Sequence, residues 1–263
     1  MKIDKSIDIS DMFQSIYDFP SQMKDAKSIG ENINLKNKYS EAQNIVVCGM
    51  GGSAIGGDLS KALLKNSLKL PLIVNRNYEL PNWVNSSSIV ICSSYSGNTE
   101  ESLNAYHNAI AKGAKVIGIT TGGELSSLLS KNNNDKVEIP SGLQPRAAVA
   151  YSFIPLLYLL KKLNLTDDKV ISDIGTAIDT LKIARNSYSE SIDKNPTFNL
   201  AQNIYNTLPI IYGEDGSTSA IALRWKGQFC ENSKMLAYHN DIPEMNHNEI
   251  VGWQENPEIL KRI

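Results

Sequence analysis

Between Ser93 and Thr99, in the stretch SSYSGNTEES, five hydroxyl side chains fall within seven residues around one glycine, with Glu100 and Glu101 directly behind. A tight turn needs one or two such residues. A lone Ser or Thr before a helix is an N-cap that satisfies one orphan backbone N–H. Ser94, Ser96 and Thr99 together exceed that need. Hydroxyls and backbone N–H groups both donate to phosphate oxygens. The stretch contains no Lys or Arg. A site made of neutral donors and a helix end holds a phosphate monoester without leaving a fixed charge uncompensated when empty. Glu100 and Glu101 suit the dipole of a helix starting there and are expected to point away from the anion.

A second anion-binding loop lies upstream, Gly49-Met50-Gly51-Gly52-Ser53-Ala54-Ile55-Gly56-Gly57. Glycines let backbone N–H groups approach an anion closely, and the following helix offers its positive end. The loop fits Gly-x-Gly-x-x-Ala, the loose dinucleotide fingerprint. That fingerprint requires an acidic residue at the end of the next strand. Asn75-Arg76-Asn77 stands there instead. No Gly-Lys-Ser/Thr is present, so a nucleotide P-loop is excluded as well. The bland alternative is that the glycines serve only tight strand-to-helix packing.

Three more residues suit chemistry on a bound anion. Arg146 follows Pro145 at the start of an apolar helix, where a cation opposes the dipole unless something anionic is near; a surface arginine is the plainer reading. Glu231 ends a helix after Phe229-Cys230, a position that suits a general base as well as a solvated helix end. The histidines are His107, His239 and His247. His107 lies on a helix and reads as structural or exposed. His239 and His247, with Asp241, Glu244 and Glu249, match no familiar zinc spacing, so no metal is expected. A metal-free proton-transfer site needs an imidazole and a carboxylate, and this segment supplies both.

The elements that position these residues follow from apolar patterning. Asp11 to Ile33 has helical spacing broken near Pro20. Ile45–Cys48, Leu72–Val74, Ile89–Cys92 and Val116–Ile119 are short apolar strands, and after Val137-Glu138-Ile139 the chain changes character. Helical patterns fill Ser53–Leu64, Thr99–Lys112 and Glu124–Leu129 between them. This alternation implies a parallel sheet covered on both faces, with ligands outside the carboxyl ends of its strands. Ala147 to Leu163 is an apolar helix kinked at Pro155, read as a central helix between two lobes; Ile171–Tyr188 is another helix. Pro209–Gly213 then reads as a strand and Glu214–Ser219 as a loop opening a helix to about Phe229. Asp241 to Asn248 reads as an extended polar excursion after a strand. VVCGMGGSAIGGDL and IIYGEDGSTSAIAL share strand, Gly, two residues, Gly-Ser, then helix. This weak duplication suggests two related α/β lobes, 1–153 with a leading helix and 154–263 with the second lobe incomplete.

The chain has 263 residues, 41% hydrophobic and 21% charged, with a net charge of −2. These are ordinary values for a globular protein, and nothing marks a nucleic-acid or membrane partner. Three scattered cysteines and an N-terminus unlike a signal peptide fit reduced thiols in a cytoplasm.

GMGGSAIGGD together with SSYSGNTEES resembles the sugar isomerase (SIS) domain. GLQPRAAVAYSF, RWKGQFCENSK and EMNHNEIVGW narrow the resemblance to the bifunctional phosphoglucose/phosphomannose isomerase family. It runs from about Asn44 to Trp253. It implies an α/β fold of two SIS-type lobes, each a parallel sheet flanked by helices, here with the second incomplete. It implies Gly52, Ser53, Ser94, Ser96 and Thr99 as phosphate binders, Arg146 as the active-site arginine, Glu231 as catalytic base and His247 as the ring-opening histidine. The implied reaction is aldose–ketose isomerisation of hexose 6-phosphates through a cis-enediol, without cofactor. The implied assembly is a homodimer with a shared active site. The family pattern continues past Ile263 and carries there a threonine credited with admitting the mannose epimer and a lysine near the sugar. Neither has a counterpart here, so the chain is expected to be a fragment or a naturally short protein. The alternatives are a sugar-phosphate-binding regulatory module without turnover, or an isomerase of another sugar phosphate.

Overall fold

The structure is a computed structural model that describes residues 6–189, 195–254 and 257–263. The chain forms two compact units, one running to Leu181 and the other beginning at Lys182.

The first unit opens with α1 (Met12–Tyr17) and α2 (Phe19–Glu31), separated at Asp18, with Pro20 in the first turn of α2 where its missing N–H costs nothing. There follow β1 (Asn44–Cys48), α3 (Gly51–Leu63), β2 (Leu72–Asn75), β3 (Ser88–Ser94), α4 (Glu100–Ala111), β4 (Lys115–Thr120), α5 (Gly123–Lys131) and β5 (Asp135–Glu138). A single turn of 3₁₀ helix, Pro145–Ala147, leads into α6 (Val149–Lys162), and α7 (Lys169–Ser189) carries the chain onward.

The five strands are all parallel, in the order β2-β1-β3-β4-β5. Side chains alternate between two buried faces, as a sheet covered on both sides requires. Ile45, Val47, Ile89, Ile91, Ile117 and Ile119 point into the larger core with α2, α6 and α7. Val46, Cys48, Val90, Cys92 and Val116 point to the other side, against Ala105, Tyr106 and Ala109 of α4 and Leu125 and Leu129 of α5. Each fully buried Ile contributes about 1.5–3 kcal/mol. Burial pushes the Cys48 thiol up to about 12, and that of Cys92 well above its usual value, so both act as inert apolar groups.

The helix expected to stand between the lobes belongs to the core of the first unit. Ile154, Leu156, Leu157, Leu159 and Leu160 of α6 are almost wholly buried. The expected division at 153/154 falls inside this helix, whereas the compact units part at Leu181/Lys182. A helix apolar on most of its surface has no solvated face to turn outward, so it sits inside one unit. Its close approach to α3 depends on small residues. A Cβ on Gly56 would stand 2.4 Å from the Ser152 carbonyl oxygen.

The second unit contains α8 (Pro196–Ile204), β6 (Ile210–Glu214), α9 (Ser219–Gln228), β7 (Tyr238–Ile242) and α10 (Pro257–Leu260). Asn195 caps α8 by accepting from the N–H groups of Thr197 and Phe198. β6 and β7 are parallel and in register, Tyr212 opposite Asn240 and Gly213 opposite Asp241. This two-stranded sheet is the second, smaller lobe. The expected extended excursion at Asp241–Asn248 is different: Asp241 and Ile242 complete β7, and two 3₁₀ segments follow, Glu244–His247 and Glu249–Gln254. Asp241 enters the ladder because Ser219 at the start of α9 donates to its carboxylate at 2.6 Å.

Candidate active site

The strand order of the first sheet reverses between β1 and β3, and in open α/β sheets ligands bind at that switch point, beyond the carboxyl ends of the strands. The two loops singled out in the sequence leave β1 and β3 there. The first is Gly49–Ser53, running into α3; the second is Ser94–Thr99, running into α4.

The second loop is built by its own hydroxyls. The Ser94 hydroxyl accepts from the Gly97 N–H at 3.1 Å and pairs with the Thr99 hydroxyl at 3.0 Å. Ser96 is exposed, and its hydroxyl accepts from the Asn98 N–H at 3.2 Å. Thr99 occupies the N-cap position of α4, yet its hydroxyl meets Ser94 rather than an amide of the first helical turn. Gly97 has φ +71°, and a Cβ there would stand 1.9 Å from the Gly122 carbonyl, so only glycine fits. Glu100 and Glu101 both stand beside Tyr78; the Tyr78 hydroxyl donates to Glu100 at 3.5 Å, and the two carboxylates raise the phenol's pKa.

The two loops are tied together. The Tyr95 N–H donates to the Ser53 hydroxyl at 3.2 Å. The Tyr95 carbonyl accepts from the Thr121 hydroxyl at 2.7 Å, and the Tyr95 hydroxyl accepts from the Leu143 N–H at 3.0 Å. Burial raises the Tyr95 phenol, against the lowering effect of the Leu143 N–H. Leu143 begins the approach to Arg146, which is half-buried in the 3₁₀ turn before α6. Gly52 completes the arrangement. A Cβ on it would lie 2.6 Å from the Pro145 carbonyl, and its own carbonyl accepts from the Ser152 hydroxyl at 3.0 Å. The first unit therefore ties Gly52 and Ser53 to the loop that carries Ser94 and Thr99, with the Arg146 backbone against Gly52; Ser96 is exposed on that loop and bonds within it. Sequence reasoning passed over Tyr95. Its signal is a single aromatic residue inside a run of hydroxyls.

Arg76 is engaged elsewhere. It forms an ion pair with Asp58 of α3, which accounts for a cation where the dinucleotide reading required an acid.

Glu231 and His247 belong to the second unit. Glu231 lies in a single π turn, Phe229–Ser233, that ends α9, and its side chain is exposed. π turns recur at functional sites because they re-aim side chains at a helix end. Arg224, seven residues earlier, feels its charge: burial lowers the guanidinium's pKa, and Glu231 raises it. His247 closes the first 3₁₀ segment after β7 and is exposed. His239 lies on β7, and His107 on α4 packs edge-on against the Tyr106 ring. Asp241, Glu244 and Glu249, weighed above as metal ligands, each accept from protein donors. Glu249 is the most heavily engaged. It accepts from Tyr212, Asn240 and Trp253, and these bonds, the Tyr212 bond foremost, hold its carboxyl below the usual range. Burial and the same bond push the Tyr212 phenol up to about 12. Among the described residues no helix is long and apolar enough to cross a membrane.

A glycine loop and a hydroxyl loop meeting at the switch point of a parallel sheet define a SIS-type unit, and the SIS domain model matches residues 38–160. The model described as bacterial phospho-glucose isomerase C-terminal SIS domain matches residues 193–263. The C-terminal domain of glucosamine-fructose-6-phosphate aminotransferase from Francisella tularensis is similar in fold. Its TM-score is 0.71 at 18% identity, over 93% of this chain and 73% of that one. A bifunctional phosphoglucose/phosphomannose isomerase of Caldicellulosiruptor bescii is 50% identical over 95% of this chain and 74% of that protein. Another, from Aquifex aeolicus, is 39% identical over 84% of this chain and 65% of that protein. The chain belongs to the bifunctional phosphoglucose/phosphomannose isomerase family.

Proposed function

We propose that the protein interconverts glucose 6-phosphate or mannose 6-phosphate with fructose 6-phosphate. Family membership supplies the reaction class; the observation that carries the assignment to this chain is the pair of tied loops at the switch point. Its hydroxyls and helix starts offer neutral donors to a phosphate that does not react. Binding energy from that phosphate holds the carbon chain for proton transfer. Gly52 supplies close backbone approach, and Ser53, Ser94, Ser96 and Thr99 supply hydroxyls.

In this scheme His247 opens the sugar ring by moving a proton from O1 to O5. Glu231 takes the proton from C2 of the aldose while O1 gains one, giving a cis-enediol. Glu231 returns its proton to C1 as O2 loses one, giving the ketose. Arg146 stabilises the enediolate charge that develops between these steps. Glucose and mannose 6-phosphates differ only at C2 and share this enediol, so one base can serve both where the pocket admits both epimers. The active form in this proposal is a cytoplasmic homodimer in which His247 of one subunit serves Glu231 of the other.

A coupled assay with the three hexose 6-phosphates, with and without chelator, tests the proposal. Turnover insensitive to chelator is expected. Tight fructose 6-phosphate binding without turnover would replace the enzyme with a sugar-phosphate sensor. Glu231→Gln should abolish exchange of the C2 proton with solvent while leaving phosphate binding intact. Persisting exchange would place the base elsewhere.

A further inference from the structure

We infer that Glu249 is a positioning residue, the anchor that fixes the turn carrying His247; the inference rests on the ring-opening role proposed for that histidine. His247 ends a four-residue 3₁₀ segment, and a second 3₁₀ segment begins at Glu249. Such short segments have poor hydrogen-bond geometry and do not hold a position by themselves. Something outside them must, and the Glu249 carboxylate is placed to do so.

One of its oxygens accepts from the Tyr212 hydroxyl and from the Trp253 indole N–H at 3.3 Å; the other accepts from the Asn240 side-chain amide. Tyr212 and Asn240 are register partners on β6 and β7. Paired residues on parallel neighbours face the same side of the sheet, about 4.8 Å apart, so both can grip one carboxylate. Trp253 closes the arrangement from within the second 3₁₀ segment. Its N–H also reaches the Tyr212 hydroxyl at 3.1 Å, and its ring packs edge-on against the Tyr212 ring, 6.3 Å between centroids. Upstream, Asn248 is held from both sides. Its amide donates to Glu244 at 2.8 Å, and its side-chain carbonyl accepts from the Glu249 N–H at 2.5 Å. His247 thus sits between a turn pinned to itself and a carboxylate pinned to two strands.

A carboxylate that already holds three donors is a poor proton acceptor. Glu249 therefore acts through His247 rather than on substrate. Its conversion to an amide keeps the shape but sets one N–H group against another donor, either Asn240 or Tyr212 and Trp253.

The test is kinetic, in the full chain. Glu249→Gln is expected to lower kcat on glucose 6-phosphate by about 10–100-fold, the cost of a misplacement near 1 Å, with KM little changed. Tyr212→Phe should move kcat in the same direction by less. In a His247→Ala background, whose residual turnover relies on spontaneous ring opening, Glu249→Gln should cost nothing further. An equal loss in both backgrounds, or an undiminished kcat in Glu249→Gln, overturns the inference. Amide hydrogen exchange across 244–254 gives a readout independent of turnover. Faster exchange in Glu249→Gln, or in Tyr212→Phe if the first variant does not fold, is expected; unchanged exchange overturns the anchor. A parent protein without turnover would remove the isomerase assignment, while the exchange data would still decide whether Glu249 fixes the turn.

Discussion

Replacing Gly52 by alanine separates the contribution of packing from that of the site. Gly52 and Gly56 lie one helical turn apart on the side of α3 that meets α6 and its leading turn. A Cβ would stand 2.6 Å from the Pro145 carbonyl in the first case and 2.4 Å from the Ser152 carbonyl in the second. Either substitution requires backbone to move by about 1 Å, at Gly56 within the close-packed interior and at Gly52 against the exposed Pro145 turn. Such overpacking costs roughly 1–3 kcal/mol. Alanine returns up to about 1 kcal/mol of helix propensity. The net loss in each variant is therefore about 0–3 kcal/mol, a fall of a few degrees in Tm. What moves is different. At Gly56 it is the body of α6. At Gly52 it is Pro145, whose neighbour Arg146 is proposed to meet the enediolate. A displacement of about 1 Å at a positioning group can cost 10²-fold in rate. Gly52→Ala is expected to lose about 10–100-fold in kcat/KM, while Gly56→Ala keeps activity within about threefold at a similar Tm. Coupled-assay kinetics and a melting curve on both variants decide the matter. Equal activity losses, or a fully active Gly52→Ala, would refute the argument that this contact sets the arginine against the phosphate loop.

The other predictions are briefer. Thr99→Ala and Ser96→Ala should each weaken fructose 6-phosphate binding by roughly 1–3 kcal/mol, measured by calorimetry; unchanged affinity would mean the loop holds no phosphate. Asp135 is buried and accepts from the Lys36 and Asn37 backbone N–H groups, the Asn37 amide and the Tyr39 hydroxyl, tying the segment before β1 to β5. Burial alone would raise its pKa, but these bonds leave it lowered, so its stabilisation is present above the usual Asp value near 4 and is lost as pH falls through the lower folded value. Asp135→Asn should lower Tm at neutral pH and flatten the acid limb of the Tm–pH profile; an unchanged limb would assign acid unfolding to other carboxylates. Mixing Glu231→Gln with His247→Ala subunits should restore roughly a quarter of wild-type activity if the active site is shared across a dimer, because half the dimers are then mixed and half their sites whole. No recovery despite proven subunit exchange would place both residues of a site in one subunit.

The first sheet was legible because its signals are local. The central strands are runs of buried residues such as Ile45-Val46-Val47-Cys48, apolar on both faces, and a run of that kind has no competing solvated structure; the edge strand β5, Asp135–Glu138, alternates buried and exposed. The hydroxyl loop stood out for a related reason: five hydroxyls in seven residues exceed what a turn consumes. What escaped was anything defined by a partner far along the chain. α6 read as a helix, but its neighbours did not show in its sequence. Its place inside the first unit shows in partners about a hundred residues away, such as Gly30 of α2 against Tyr158 and Gly56 of α3 against Ser152. α8 carried its own signal, an Asn cap followed by Pro at the first helical position and amphipathic spacing behind it, and went unread.

The second unit shows the same limit more sharply. Tyr238-His239-Asn240-Asp241-Ile242 does not look like a strand, since three of its five residues are polar. Two of those are held by specific bonds, Asn240 to Glu249 and Asp241 to Ser219, and those bonds let them sit in a ladder. A polar strand of this kind is explained by what it holds rather than by what it buries. The sequence pattern EMNHNEIVGW drew attention to His247 because an imidazole has obvious chemistry. Its glutamate and tryptophan, four residues apart, only make sense once Tyr212 and Asn240 are seen side by side on adjacent strands. Binding groups gathered in one loop can be read in order along the chain. A positioning carboxylate held by hydrogen bonds from two strands cannot, because its geometry depends on a register that no single stretch of sequence contains.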